Sequence, residues 1–208
     1  MAVTIQKIKP AEIEAESFRI IAEELGPTKH TAEEFAVVQR VIHATGDFSF
    51  ADNLRFSADA VAVATTAIKA GRNILTDVNM AAAGVSRNIL SRWGGQVVCK
   101  VAEPEVAARA KEGGKTRSEV AIEQGMQENI GIVAIGNAPT ALLKVMALIE
   151  QGAIPKPDLV VGVPVGFVNA AESKELLNQK EYPYITALGR KGGSPVAAAI
   201  VNAILRLV

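Results

Sequence analysis

The run Ile130-Gly131-Ile132-Val133-Ala134-Ile135 constrains this chain more than any other stretch. It carries no polar side chain, so a strand built from it must be covered on both faces, as in a parallel sheet. Gly136-Asn137-Ala138 turns the chain at its carboxyl end. Pro139 suits a first helical position and opens a helix through Gln151. Four other short runs read as strands: Asn73–Asp77, Gln96–Val101, Leu159–Pro164 and Tyr184–Leu188. Cys99 falls within the second of these and reads as a core residue rather than a nucleophile.

Helical patterns separate the strands. Residues 10–25 form the first, stopped by Gly26-Pro27. Thr31-Ala32-Glu33-Glu34 is a capping box that opens a second helix to about Ala44. Ser57 reads as the cap of a third, which runs to Ala70 and closes at Gly71. Further helices are expected over Pro104–Ala110, Ser118–Gln127, from Ala170, and over Val196–Leu207. Asp47–Phe56 has no clean period and reads as either a strand or a loop covering a pocket. These patterns predict one α/β domain spanning residues 1–208, a three-layer α/β/α arrangement around a mostly parallel sheet of about five strands.

Composition narrows the function. The 22 basic and 22 acidic residues cancel, and aromatics make up 4% of the chain. No field of one sign covers the surface, which argues against nucleic acid as a partner. No window approaches the roughly 18 apolar residues of a membrane span. The N-terminal stretch MAVTIQKIKP has no apolar core typical of a secretory signal, and a lone cysteine fits a reducing cytoplasm, so a cytoplasmic location is expected. Two histidines and one cysteine give no clustered metal-ligand set, so no metal site is expected.

In sheets of this kind, ligands bind past the carboxyl ends of the strands. The polar residues at those ends are Asp77, Asn137, Asn169, Lys174 and Arg190, and they are expected to converge. Their glycine-rich turns should offer backbone N–H groups to an anionic ligand. Gly114-Lys115-Thr116 resembles part of a phosphate-binding loop. The full pattern requires another glycine at position 109, which is Arg, and a preceding strand, so it is rejected.

His43 is the other focus. It ends a helical pattern, lies three residues from Arg40 and so shares its face, and precedes the Gly46 turn. With His30 it is the natural candidate for proton chemistry near neutral pH. Left to the pattern alone, a lone histidine beside an apolar run is more often a packed structural residue, and Arg40 has the plainer reading of a solvated helix-end cation.

Seven segments, in order, carry a family resemblance. They are RVIHATGD (40–47), FADNLRFS (50–57), ILTDVNMAAAGVSR (74–87), KTRSE (115–119), VAIGNAPTALL (133–143), VGVPVGFVNAAESKELL (161–177) and GRKGGSPVAAAI (189–200). Along essentially its whole length the chain resembles the precorrin-8X methylmutases of cobalamin biosynthesis. The resemblance implies an isomerase that moves a methyl group between adjacent carbons of ring C of a corrin-type macrocycle, formally a 1,5-sigmatropic shift. The product is cobyrinate where cobalt is present and hydrogenobyrinate where it is not. The resemblance implies no external cofactor, and the cobalt belongs to the substrate. The GDFSFADNLRFS run looks closer to the cobalt-dependent, anaerobic branch.

The resemblance places the acid–base residue on His43 and substrate contact on Ser17 and Arg40. By position within matching segments it extends contact to Ser86, Arg87, Arg117, Asn137, Lys174 and Arg190. Fixed guanidinium groups suit a macrocycle bearing several carboxylates. Its apolar body would lie against Val85, Val165 and Phe167. Each contact has a plainer alternative: Arg87 pairing Glu103 or Glu105, Lys174 pairing Asp158 or Glu150, Asn137 serving only its turn. The resemblance also implies a homodimer with sites near the subunit interface, and transient hand-over of the corrinoid to neighbouring enzymes. A non-catalytic corrinoid carrier is the alternative function.

Overall fold

The computed structural model describes residues 7–152 and 154–208. Residues 1–6, which include most of the N-terminal stretch read as lacking a secretory pattern, lie outside the described residues.

After a short 3-10 turn at Pro10–Glu12, the helices are α1 Ile13–Leu25, α2 Ala32–Thr45 and α3 Phe50–Asn53. Strand β1 Leu54–Phe56 follows, then α4 Ala60–Lys69, β2 Asn73–Thr76, α5 Asn79–Gly84 and α6 Arg87–Leu90. A 3-10 turn at Ser91–Trp93 leads to β3 Val97–Val98, α7 Pro104–Glu112, α8 Arg117–Gly125 and β4 Ile130–Ile135. The chain closes with α9 Pro139–Gln151, β5 Leu159–Gly162, α10 Ala170–Asn178, β6 Tyr184–Ala187 and α11 Ser194–Leu205.

The sheet has six strands in the order β1-β6-β5-β4-β2-β3. All neighbours are parallel except β1, which runs antiparallel to β6 with Leu54 opposite Ala187. The sixth strand comes from the Asp47–Phe56 stretch, which had no readable period. Its first half is a helical turn and only its last three residues pair, so neither periodicity could accumulate. Ser57 does not cap α4, whose N-cap is Asp59. Instead Ser57 Oγ accepts from the Tyr184 N–H at 2.8 Å and so ties the end of β1 to β6.

Strand β4 is buried throughout, and successive side chains alternate between two cores. Ile132 and Ala134 join the core made with α2, α4 and α11, in which Val37, Val38, Val41 and Ile42 are 0–1% exposed. Val133 and Ile135 join the opposite core, made with α8, α9 and α10. Helices therefore cover both faces, and the three-layer expectation holds. Strand β3 is a correction: it spans two residues at a sheet edge, so Cys99 lies past its end and is half-buried rather than in the core.

From β2 the chain steps outward to β3 and then returns to β4 on the other side of β2, so β2 and β4 flank the switch point of the sheet. Asp77 fills this point. Its carboxylate accepts from the N–H groups of Gly136 at 3.0 Å and of Asn137 and Ala138 at 2.8 Å each. Burial pushes the Asp77 carboxyl above its ordinary value, while the three N–H groups pull it down. The N–H groups expected to await an anionic ligand at the 136–138 turn are thus satisfied by the chain's own carboxylate. Asp77→Asn presents an NH2 group to backbone donors and strands at least one of them. Urea unfolding should show a loss of about 2–3 kcal/mol; a loss below about 0.5 kcal/mol, the usual surface range, would show that the clasp is dispensable.

Candidate active site

Helix α2 presents the first group of candidates. Its N-terminus is the expected capping box: Thr31 Oγ accepts from the Glu34 N–H at 3.2 Å, and Glu34 Oε2 accepts from the Thr31 N–H at 3.0 Å. It ends at Gly46, whose φ of 65° is left-handed and whose N–H donates to the Ile42 carbonyl at 2.7 Å. With the apolar face of α2 turned to the core, Arg40 and His43 meet α1. Gln39 Nε2 donates to the Phe18 carbonyl at 2.9 Å and locks the two helices in register.

Phe18 is the common floor. The His43 ring meets it edge-on, with centroids 5.5 Å apart and planes at 81°. Arg40 Cζ lies 4.7 Å from the centroid of the same ring. The Arg40 fork donates to both carboxylate oxygens of Glu14, at 2.9 and 3.2 Å. Its side chain is only 13% exposed, so Arg40 is not the solvated helix-end cation. A second guanidinium, Arg206, stands 3.5 Å from Glu14 Oε1. The hydrogen bonds from Arg40 hold the Glu14 carboxyl below its ordinary value, against the effect of burial; the charges of Arg40, Arg206 and His43 act in the same direction. His43 itself is exposed and, among the described residues, makes no hydrogen bond. Ser17 is half-buried on α1, its hydroxyl donating to the Ile13 carbonyl at 2.8 Å.

The second group lies past the strand ends. Asn137 is exposed, with its N–H on Asp77. Arg117 is exposed at the first position of α8, and Thr116 beside it reaches Thr140 of α9 at 3.2 Å. Arg190 is exposed, its Cζ 5.4 Å from the centroid of the Phe167 ring. Phe167, Val168 and Val165 are 82%, 77% and 46% exposed. Val165 and Phe167 are therefore open as apolar walls, whereas Val85 is 5% exposed and is not.

Lys174 requires a correction. Its side chain is fully buried, and Nζ donates to the Lys191 carbonyl at 2.6 Å. Neither anticipated ion pair forms, because Asp158 pairs Arg72 and Glu150 pairs Lys180. Lys174 props the 189–193 turn from within. Gly192 permits the turn's close approach, since a Cβ there would lie 2.2 Å from the Val163 carbonyl oxygen. The turn reaches back to the first group: Lys191 Nζ donates to Asp47 Oδ2 at 2.6 Å and Ser49 Oγ at 3.0 Å, just past the end of α2.

Among the described residues, no side-chain hydrogen bond or ion pair ties Ser86 or Arg87 to either group. The Ser86 N–H donates to Asn202 Oδ1 of α11 at 2.8 Å, and Ser86 precedes α6 without capping it through its side chain. Arg87 is exposed and, among the described residues, makes no ion pair; Glu103 pairs Lys100 and Glu105 pairs Arg109. Two cavities of about 490 Å³ contain none of the candidates: one is lined by α2, α4 and Leu207, the other by α10 and Gly189. His43, Arg87, Arg117, Asn137 and Arg190 are exposed, whereas Arg40 is largely buried and Lys174 fully so. Among the described residues no three His, Cys, Asp or Glu side chains are placed to hold a metal ion, and no helix is long and apolar enough to cross a membrane.

Sequence reasoning missed Glu14, Phe18 and the Asp47–Lys191 bridge. The first two were within reach, because Glu14, Ser17 and Phe18 recur at helical spacing and share one face of α1.

A doubly covered parallel sheet with cations and an exposed aromatic past its strand ends is the frame of an α/β enzyme that takes an anionic, partly apolar ligand. The precorrin-8X methylmutase family model matches residues 12–207. A cobalt-precorrin-8 methylmutase from Priestia megaterium is 43% identical over 198 residues, covering 95% of this chain and 88% of the relative. A precorrin-8X methylmutase from Pseudomonas aeruginosa is 45% identical over 192 residues, covering 91% of each chain. The crystal structure of the precorrin-8X methylmutase from Thermus thermophilus superposes with a TM-score of 0.86 at 45% identity, covering 95% of both chains. The chain belongs to the precorrin-8X methylmutase family, the methyl-shifting isomerases of corrin biosynthesis.

Burial lowers the Lys174 ammonium from 10.5 to about 8. Between those values the unfolded chain binds more protons than the folded one, so this group makes stability rise with pH from about 8 to 10.5. Relative to Lys174→Met, the wild type should gain about 3 kcal/mol across that interval. Urea unfolding of both proteins at its two ends checks this; a pH-independent difference would contradict it.

Proposed function

We propose that this methylmutase works on the face where α1 meets α2, with His43 as the proton donor and acceptor of the methyl shift. The reading rests on one observation above all: His43 is open to solvent, held edge-on to Phe18, and flanked by the fixed guanidinium of Arg40. A methyl shift within a conjugated macrocycle needs little covalent assistance. It needs a shaped surface and a proton placed to bias the electron distribution. The isomerisation conserves atoms, so a proton lent by His43 returns to the imidazole or to water before the product leaves.

The other candidates would hold the macrocycle. Arg40 and Arg190 each combine a guanidinium with an aromatic ring, which suits a substrate that is both carboxylated and flat. Arg117 and Asn137 would meet carboxylates past β4, and Ser17 would donate a hydrogen bond beside His43. Ser86 and Arg87 join only if a second subunit or the span of the macrocycle brings them in. No external cofactor is used in this reading, and the substrate is cobalt-precorrin-8, giving cobyrinate. The relatives carry both cobalt and metal-free names at similar identity, so the cobalt assignment rests on the GDFSFADNLRFS resemblance.

The exposure of Val165, Phe167 and Val168 supports the homodimer expected of the family, with a second copy covering them. Transient hand-over to neighbouring enzymes belongs to the same reading. Sedimentation at micromolar concentration should give twice the chain mass; a mass near 21.9 kDa would contradict it.

His43→Ala should slow single-turnover conversion of cobalt-precorrin-8 by about 100- to 10,000-fold while leaving most corrinoid affinity and the melting temperature unchanged. His43→Asn keeps a hydrogen bond, lacks the transferable proton, and should also be slow. The spectral change of the corrinoid reports both rates. A rate within about threefold of the wild type, well short of the general-acid range, removes His43 from the mechanism.

A further inference from the structure

The site contains a carboxylate that the methyl shift does not call for. Glu14 takes both arms of the Arg40 fork, in the geometry a guanidinium uses for any carboxylate. The two partners differ in freedom. Arg40 is 13% exposed and pinned over Phe18, whereas Glu14 is 44% exposed on the outer edge of α1. Arg206, 49% exposed at the end of α11, already stands 3.5 Å from Glu14 Oε1. Glu14 can therefore leave the fork without losing a cationic partner.

We propose that Glu14 is a built-in stand-in for a substrate carboxylate: it fills the Arg40 fork in the free protein, and an incoming carboxylate of the macrocycle displaces it toward Arg206. The inference rests on the reading of Arg40 as a substrate contact. Its physical sense is twofold. An occupied fork keeps Arg40 in its binding rotamer while the site is empty. It also spares the protein an unpaired, largely buried charge in that state. Exchange of one carboxylate for another leaves the charge on Arg40 balanced throughout, and the half-exposed position of Glu14 keeps its own hold weak. A further consequence is selectivity: a macrocycle lacking the matching carboxylate cannot evict Glu14 and gains nothing from Arg40.

The test uses the intact protein and cobyrinate as the probe, with dissociation constants measured by absorbance titration. Glu14→Ala and Glu14→Gln should bind cobyrinate more tightly than the wild type, by about two- to fivefold, the range of an exposed ion pair. In the Arg40→Ala background, Glu14→Ala should change nothing, because the fork it occupied is gone. Weaker or unchanged binding in both single Glu14 variants overturns the proposal and would make Glu14 an orienting partner of Arg40 that stays in place. Arg40→Ala binding as well as the wild type would instead overturn the assignment of Arg40 to the substrate, and the stand-in with it, so the two failures are distinguishable.

Discussion

A strand buried on both faces leaves the chain few places to be polar, and they are the strand ends. Ile130–Ile135 is such a strand, and Leu159–Gly162 and Tyr184–Ala187 are others. Each must turn outward through backbone that is no longer in the ladder, and each freed N–H or carbonyl there needs a partner. The chain supplies these partners from buried charged side chains. Asp77 closes the turn after β4, and Lys174 closes the turn after β6. Because these turns are fixed from below, the side chains above them, Asn137 and Arg190, stand on rigid supports.

This separates two uses of charge. Asp77 and Lys174 are spent inside the fold, where an unpaired donor or acceptor is costly to leave. Arg87, Arg117 and Arg190 are exposed and, among the described residues, without an ion pair. Arg40 lies between the two classes, largely buried yet held by a carboxylate that is itself half exposed. Beside it, the His43 imidazole is exposed, rests edge-on against Phe18 and, among the described residues, makes no hydrogen bond. The α1–α2 face thus sets a largely buried guanidinium beside an exposed imidazole.

Much of this was legible in the sequence. Strands β4 and β5 declared themselves as uninterrupted apolar runs, and the α2 capping box was read at its true position. The resemblance carried His43, Arg40 and Ser17; the structure sets His43 and Arg40 against Phe18, the residue that follows Ser17 on α1. Periodicity could not supply β1 or the true extent of β3, because each is too short to show a period and takes its strand state from its neighbour. Nor could it show which charges were internal. Lys174 and Arg190 look alike in a sequence, and only packing tells the buried ammonium from the open guanidinium. The Glu14–Arg40 pair joins residues 26 apart, a separation that helical spacing within one element cannot reach.

Everything proposed for this face depends on the methyl shift taking place against His43. The most direct measurement is a crystal structure of the protein with its product corrinoid bound. Ring C of the macrocycle should lie over the α1–α2 face, with an imidazole nitrogen of His43 within about 3 Å of a polar or protonatable atom of the ring system. A macrocycle bound on another face, with His43 out of hydrogen-bonding reach even through one water, would contradict it.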